Sequence, residues 1–182
     1  MTHFSFGLFN SVSGYSITAA ALFDGSTGYL SKTFGSAGDQ KTWTLSMWIR
    51  RADISSEQQI FSVSGTQIYW DASTQTFRFN MGGNGQYYTS QVFRDVEWMN
   101  LVLSLDTTTQ TYTLEVNGVA VTSWGTSNAI TLNYDGAVNS TSQHVLGAFY
   151  DGTIQYYGGY IAEFYFIGGQ ALDATNFGEF ND

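Results

Sequence analysis

Along most of the chain apolar and polar residues alternate with a period close to two. In "TWTLSMWIR", Trp43, Leu45, Met47 and Ile49 fall on one face while Thr42, Thr44, Ser46, Trp48 and Arg50 fall on the other, the alternation of a half-buried strand. The same phase joins Phe77, Phe79 and Met81 in "TFRFNM", Met99, Leu101, Leu103 and Leu105 in "WMNLVLSL", and Tyr112, Leu114 and Val116 in "TYTLEV". "HVLGAFY" and "YIAEFYFI" are apolar on both faces and predict central strands. Between the runs stand Asp24-Gly25, Asn84-Gly85, Asn117-Gly118, Asp135-Gly136 and Asp151-Gly152, residue types that accept the positive φ of tight turns. "YTLEVNGVAVT" reads as two strands joined by a two-residue Asn-Gly turn. Only "LDATNF" carries a helical start signal, with Asp173 placed to cap a single turn.

Many short strands and almost no helix predict an all-β fold, an antiparallel β-sandwich of two packed sheets. A length of 182 residues suits one such domain. The expected organisation is an N-terminal arm or edge strand over residues 1–20 and a single sandwich over residues 21–182. Composition agrees with sheet: 17% of residues are aromatic and only 12% charged. The absence of cysteine excludes disulfides, thiolate nucleophiles and cysteine-bound zinc. Six Lys and Arg against fifteen Asp and Glu leave a charge of -9, which repels phosphate backbones and anionic lipid, so neither nucleic acid nor membrane is an expected partner. The opening "MTHFSFGLFN" has no signal-peptide pattern, and no apolar run is long enough to span a bilayer.

The candidate chemistry is thin. His3 and His144 are the only histidines, and neither has the partners of a serine triad or a zinc site; His144 reads as a strand-end residue near the surface. Glycoside hydrolysis needs two carboxyl groups across a groove. The glutamates stand apart, except that Asp95 lies two residues before Glu97 at the polar entry to a strand. Glu115 reads as surface, and Glu163, among apolar neighbours, as architecture. No resident cofactor is expected. Calcium is the one metal with candidate ligands, Asn133, Asp135, Asn139 and Asp151 on loops, although such residues populate turns for backbone reasons alone. Asn139 also opens an "NST" glycosylation pattern. Trp70, Tyr87, Tyr88, Trp124, Tyr156 and Tyr157 are candidates for glycan or protein contact, and at least one of each adjacent tyrosine pair points outward. Phe4, Phe6 and Phe9 are candidates for an arm contact.

The ordered blocks "FDGSTGYLS", "KTWTLSMWIRR", "WMNLVLSLD", "YTLEVNGVAV", "HVLGAF" and "YIAEFYFIGGQALDATNFGEF" resemble the concanavalin A-like lectin/glucanase superfamily in its laminin G-like and pentraxin-like branch. More narrowly, "KTWTLSMWIRR" with "IAEFYFIGGQAL" and "FGEF" is similar to domains of bacteriophage virion proteins, where an acidic residue usually stands in place of Gly168. The resemblance implies a concanavalin A-like jelly roll. It also implies a non-enzymatic virion structural protein, with a capsid decoration or cement protein on the particle exterior as first choice. Such a protein is made in the host cytoplasm and contacts the major capsid protein or another virion protein as a homo-oligomer, often a trimer. Two alternatives stay open. One is a glycan-binding module of a tail fibre or secreted protein, with a surface glycan as partner; the other is a glycoside hydrolase, for which the carboxylate pair is missing.

Overall fold

In the computed structural model, which describes residues 17–82 and 84–178, the alternating runs become the strands of two antiparallel sheets. Numbered in chain order, one sheet runs β1 (Ala21–Asp24), β13 (Gly158–Gly168), β3 (Thr42–Arg51), β8 (Met99–Asp106), β9 (Thr111–Val116), β10 (Val119–Ala120). The other runs β11 (Trp124–Ser127), β7 (Gln86–Thr89), β6 (Thr76–Met81), β5 (Thr66–Asp71), β4 (Gln58–Val63), β12 (Gln143–Leu146), β2 (Leu30–Thr33). This is the antiparallel two-sheet sandwich that the periodicity predicts, in the jelly-roll form that the resemblance implies. "HVLGAFY" and "YIAEFYFI" supply β12 and β13, each flanked by a strand on both sides. Phe4, Phe6 and Phe9 lie outside the described residues.

The core forms where the in-phase faces meet. Trp43, Leu45, Met47 and Ile49 are buried against the second sheet's Phe77, Phe79 and Met81, with Trp43 edge-on to Phe79 at 6.0 Å. Each such side chain, fully buried, stabilises the fold by roughly 1.5–3 kcal/mol. Arg51 is buried with them, its guanidinium 3.7 Å over the Trp70 ring and Nη2 donating to the Phe93 and Asp95 carbonyls. Burial pulls its pKa down to about 10, so it stays charged at neutral pH.

The outer face of β3 is also covered. Thr44 Oγ1 donates to Gln170 O and accepts from Leu172 N, both at 2.8 Å, and Glu115 accepts from Ala174 N. The segment after β13 therefore straps the six-stranded sheet, ending in the turn Ala174–Asn176 capped by Asp173. Glu115, expected at the surface, is half-buried beneath this strap, and burial raises its pKa.

Local turn chemistry sets the registers. Asn117 and Gly118 take φ of 52° and 73°, the two-residue hairpin turn that "VNGV" predicts between β9 and β10. Positive φ also falls on Gly25 and Gly152, but near Asn84-Gly85 and Asp135-Gly136 it falls earlier, on Gly82 and Asn133. A turn that the dipeptides do not reveal is used twice. "DASTQT" (71–76) and "DTTTQT" (106–111) join β5 to β6 and β8 to β9. In each the aspartate Oδ1 accepts from the backbone and hydroxyl of the residue two on, and the glutamine (Gln75 or Gln110) sits at φ 57°.

Strand β13 contains a bulge. Ala162 pairs with Trp48 and Tyr165 with Ser46, so Glu163 and Phe164 together oppose Met47, with Glu163 at φ 50°. The extra residue resets the alternation, and Phe164 and Phe166 pack on the core in line with Ile161.

His144 is a correction to the expected near-surface position. Its ring is 6% exposed, packed against Phe34, Phe61 and Phe166 at 4.9–6.5 Å. Nε2 accepts from Asn139 N at 2.9 Å, so the proton sits on Nδ1 and is donated to Ser142 O at 2.8 Å. Burial lowers its pKa, against the opposing effect of backbone hydrogen bonds. The Asn139 side chain completes the joint by donating Nδ2 to Asp39 O, and a Cβ on Gly168 would stand 2.7 Å from that nitrogen. Glycine at 168 leaves room for the Asn139 amide.

Candidate functional site

The phase that sends Ile68, Trp70, Phe77 and Phe79 inward sends Gln67, Tyr69, Asp71, Arg78 and Asn80 to the outside of the seven-stranded sheet. Register then aligns one outward residue per strand. Gln59 of β4 pairs with Tyr69 of β5, Tyr69 with Arg78 of β6, Arg78 with Tyr88 of β7, and Tyr88 with Thr126 of β11. A row of amide, phenol, guanidinium, phenol and hydroxyl thus crosses five strands. Arg78 lies 5.0 Å from the Tyr88 ring centre, a cation–π contact. Burial raises the Tyr69 phenol pKa, with the Arg78 charge working against it.

Asp71 anchors the arginine, its Oδ2 2.5 Å from Arg78 Nη2. Its other oxygen accepts from Ser73 N, Ser73 Oγ and Thr74 N at 2.6–3.1 Å. Burial pushes Asp71 up, but these hydrogen bonds and Arg78 outweigh it and hold the carboxyl below its ordinary range. Beside the row runs a chain of amides. Gln155 Nε2 donates to Glu57 Oε1, and Gln59 Nε2 donates to Gln155 Oε1 at 3.0 Å and to Gln67 Oε1 at 3.4 Å. Burial, then the neighbouring Asp71, raises the Glu57 pKa, and Arg78 offsets part of this. Gln59 Oε1 and Arg78 Nε are buried and have no protein partner.

The half-buried Tyr69, Arg78 and Tyr88 can stack on a ring and hydrogen-bond its substituents, while Gln59, fully buried, braces the row from beneath. Nucleophilic chemistry is a poor fit, because the Asp71 oxygens are taken and Glu57 is held by an amide.

The six aromatic candidates separate. Tyr88 alone stands in the row. Trp70, Tyr87 and Tyr157 are at most 1% exposed, because they share the inward phase of Ile68, Phe79 and Phe23 and pack on Arg51, on Tyr112 and on Phe23. They cannot stack on a ligand. Trp124 is half-buried against Tyr112 and Tyr87, and Tyr156 donates its hydroxyl to Gly152 O. One tyrosine of each adjacent pair is outermost as expected, Tyr88 and Tyr156. The calcium candidates have other roles. Asp151 accepts from Thr153, Asp135 lies 3.9 Å from Lys41, Asn139 donates to Asp39 O, and Asn133 donates its backbone N–H to Thr107 O. Among the described residues no three His, Cys, Asp or Glu side chains cluster as a metal site. Asp95 and Glu97 are exposed, as expected of a strand entry. The residues missed are Glu57, Gln59, Gln67, Tyr69, Asp71, Arg78 and Gln155, and the available signal was the outward phase of "TQIYWDASTQTFRFN".

The family model of the concanavalin A-like lectin/glucanases superfamily matches residues 24–175. No curated protein sequence matches the chain. Among solved structures, the heptameric pentraxin of Limulus polyphemus is 13% identical over 83% of this chain and 76% of its own, with a TM-score of 0.60. Domain 4 of the extracellular arabinanase AbnA from Geobacillus stearothermophilus, in complex with arabinotriose, is 16% identical over 84% and 72%, with a TM-score of 0.58. The carbohydrate-binding module of the Ruminococcus gnavus sialidase, bound to sialyllactose, is 12% identical over 84% and 96%, with a TM-score of 0.55. At these identities the likeness is one of fold.

Proposed function

The chain belongs to the concanavalin A-like lectin/glucanases superfamily, and on that premise we propose that it is a non-catalytic lectin-like module that binds glycan on the outer face of its seven-stranded sheet. The row Tyr69, Arg78, Tyr88 carries the reading, since it joins stacking surfaces to a hydrogen-bonding group held by strand register. Two of the neighbours, the arabinanase domain and the sialidase module, are sugar-bound. No turnover is assigned. A retaining or inverting glycosidase needs one carboxyl free to act as nucleophile or base, and Asp71 is saturated with donors.

Binding to a glycan array tests the proposal. Tyr88→Ala should weaken whatever sugar is bound by about fivefold, the loss of one stacking contact worth about 1 kcal/mol, with Tm little changed. Binding that survives both Tyr88→Ala and Arg78→Ala would move the site elsewhere.

The setting we propose is the exterior of a phage particle, as a capsid decoration protein in contact with the major capsid or another virion protein, and as a homo-oligomer. The closing "IAEFYFIGGQAL" supports it. So do the sheet edges β1 and β2, each paired on one side and each carrying an exposed leucine, Leu22 at 67% and Leu30 at 56%, for edge-on contact. Purified particles should then contain many copies at fixed stoichiometry, whereas a few copies confined to tails would rule out the capsid setting.

A further inference from the structure

On the six-stranded sheet, opposite the row of Tyr69, Arg78 and Tyr88, we propose a second site. It takes one carboxylated sugar residue of the uronic acid kind, with Arg50 on the carboxylate and Trp98 and Tyr160 on the ring. The site begins with strand phase. Along β3 the outward residues are Thr44, Ser46, Trp48 and Arg50; the first two are buried, Trp48 is half-buried and Arg50 is exposed. The strap that holds Thr44 covers one end of the strand and leaves the other open. Register brings two aromatics to that open end. Tyr160 of β13 pairs with Arg50, and Trp98 stands immediately before Met99, the partner of Ile49. Both rings remain accessible, Tyr160 at 37% exposure and Trp98 half-buried, with centroids 6.2 Å apart. Together with Arg50 and residues 17–20 they line an open pocket of about 240 Å³.

Donors and size set the ligand. A guanidinium donates and never accepts, so the group it meets must offer acceptors. Arg50 gives Nε to Val96 O at 3.3 Å, which leaves the Nη1 and Nη2 pair, a fork that a carboxylate takes with both oxygens. Among the described residues no carboxylate makes an ion pair with Arg50, and its guanidinium lies over no ring. None of the lining side chains is acidic. Arg51 is buried and Arg78 is held by Asp71, so Arg50 is the exposed strand arginine with its fork uncommitted. The volume lies below that of drug-sized cavities and admits one ring rather than a chain. Trp and Tyr offer it apolar faces with a polar tip. A sugar acid meets both demands in one residue, a ring to stack and a carboxylate to pair. The chain's total of -9 opposes anions at long range, so the preference rests on the local fork and is modest in size.

The full chain is titrated with methyl glucuronide, methyl glucoside and acetate, read by the NMR shifts of the Trp98 indole N–H and the Arg50 side-chain N–H. The glucuronide should bind about fivefold more tightly than the glucoside, the worth of one exposed ion pair, and more tightly than acetate. Arg50→Gln should bring the glucuronide to the level of the glucoside, while Trp98→Ala weakens both sugars. Tyr88→Ala should change neither, which separates this site from the seven-stranded face. Raising salt from about 50 mM to about 500 mM should weaken the glucuronide alone, a measurement that needs no variant. Equal affinity for the two sugars removes Arg50 from its role and overturns the proposal. So does acetate bound as tightly as the glucuronide, since the pocket would then be a bare carboxylate contact, of the kind an acidic side chain of a protein partner makes. Shifts confined to the Tyr88 face, or no shift at all, leave no second site, whatever the seven-stranded face binds.

Discussion

Acidification from pH 7.5 to 5.5 should destabilise the protein through one side chain, His144. Its ring is 6% exposed, and Nε2 accepts a hydrogen bond from the Asn139 N–H. Protonation would set two donors against each other inside an aromatic cluster, so the folded state resists it and the folded pKa lies below the ordinary 6.5. The sign follows from proton linkage. Below pH 6.5 the unfolded chain takes up a proton that the folded chain refuses, so stability is full above that pH and is lost as pH falls toward the depressed folded pKa. The slope approaches 1.4 kcal/mol per pH unit, and the loss between pH 7.5 and 5.5 is at most about 1.4 kcal/mol. Tm would fall by roughly 3–5 °C for a chain of this size.

Other groups do not confuse the window. Asp24, Asp53, Asp71, Asp106 and Asp173 have lowered pKa values, so the stability they contribute is lost only under more acid conditions, below their ordinary 3.8. Glu57 and Glu115 are raised and act in the opposite sense, gaining protons first in the folded state, and they are the same in wild type and variant. Urea unfolding at several pH values, for the wild type and for His144→Gln, isolates the histidine. The variant should be less stable at pH 7.5 yet flatter with pH. Parallel curves for the two proteins would refute the assignment.

Two further substitutions test the packing. Gly168→Asp should cost about 1 kcal/mol in thermal or urea unfolding by pushing the Asn139 amide off Asp39 O; most of that cost should vanish in an Asn139→Gly background, a coupling that a double-mutant cycle reads directly. Trp70→Ala should cost roughly 3–5 kcal/mol, because its ring is fully buried under Arg51. A Trp70 variant that kept its stability and lost only glycan binding would return this residue to the binding face.

The sandwich was legible because burial of one sheet face forces a period of two, and "TWTLSMWIR" states it openly. Trp70 and Tyr87 were misread from their turn-flanked settings, although each shares the phase of a core neighbour, Ile68 or Phe79. The functional face was hidden for a different reason. Gln59, Tyr69, Arg78 and Tyr88 meet only through the registers of four strands, and Gln155 reaches Glu57 from 98 residues away. A polar outward phase looks alike on every strand until pairing says which strands are adjacent. His144 was hidden by its loop, since nothing local to "QHVL" shows that Phe34, Phe61 and Phe166 converge on it.

The bulge at Glu163 gives the chain one place where length can change cheaply. Anywhere else in β13 the loss of a residue would turn every later side chain to the opposite face. At position 163 the ladder already holds one residue more than its partner, so excision would bring Phe164 opposite Met47 and leave Tyr165 against Ser46, with every face kept and a left-handed backbone conformation relieved. Related chains that differ in length within this strand should therefore differ here, and a gap placed elsewhere in an alignment of β13 would signal an alignment error.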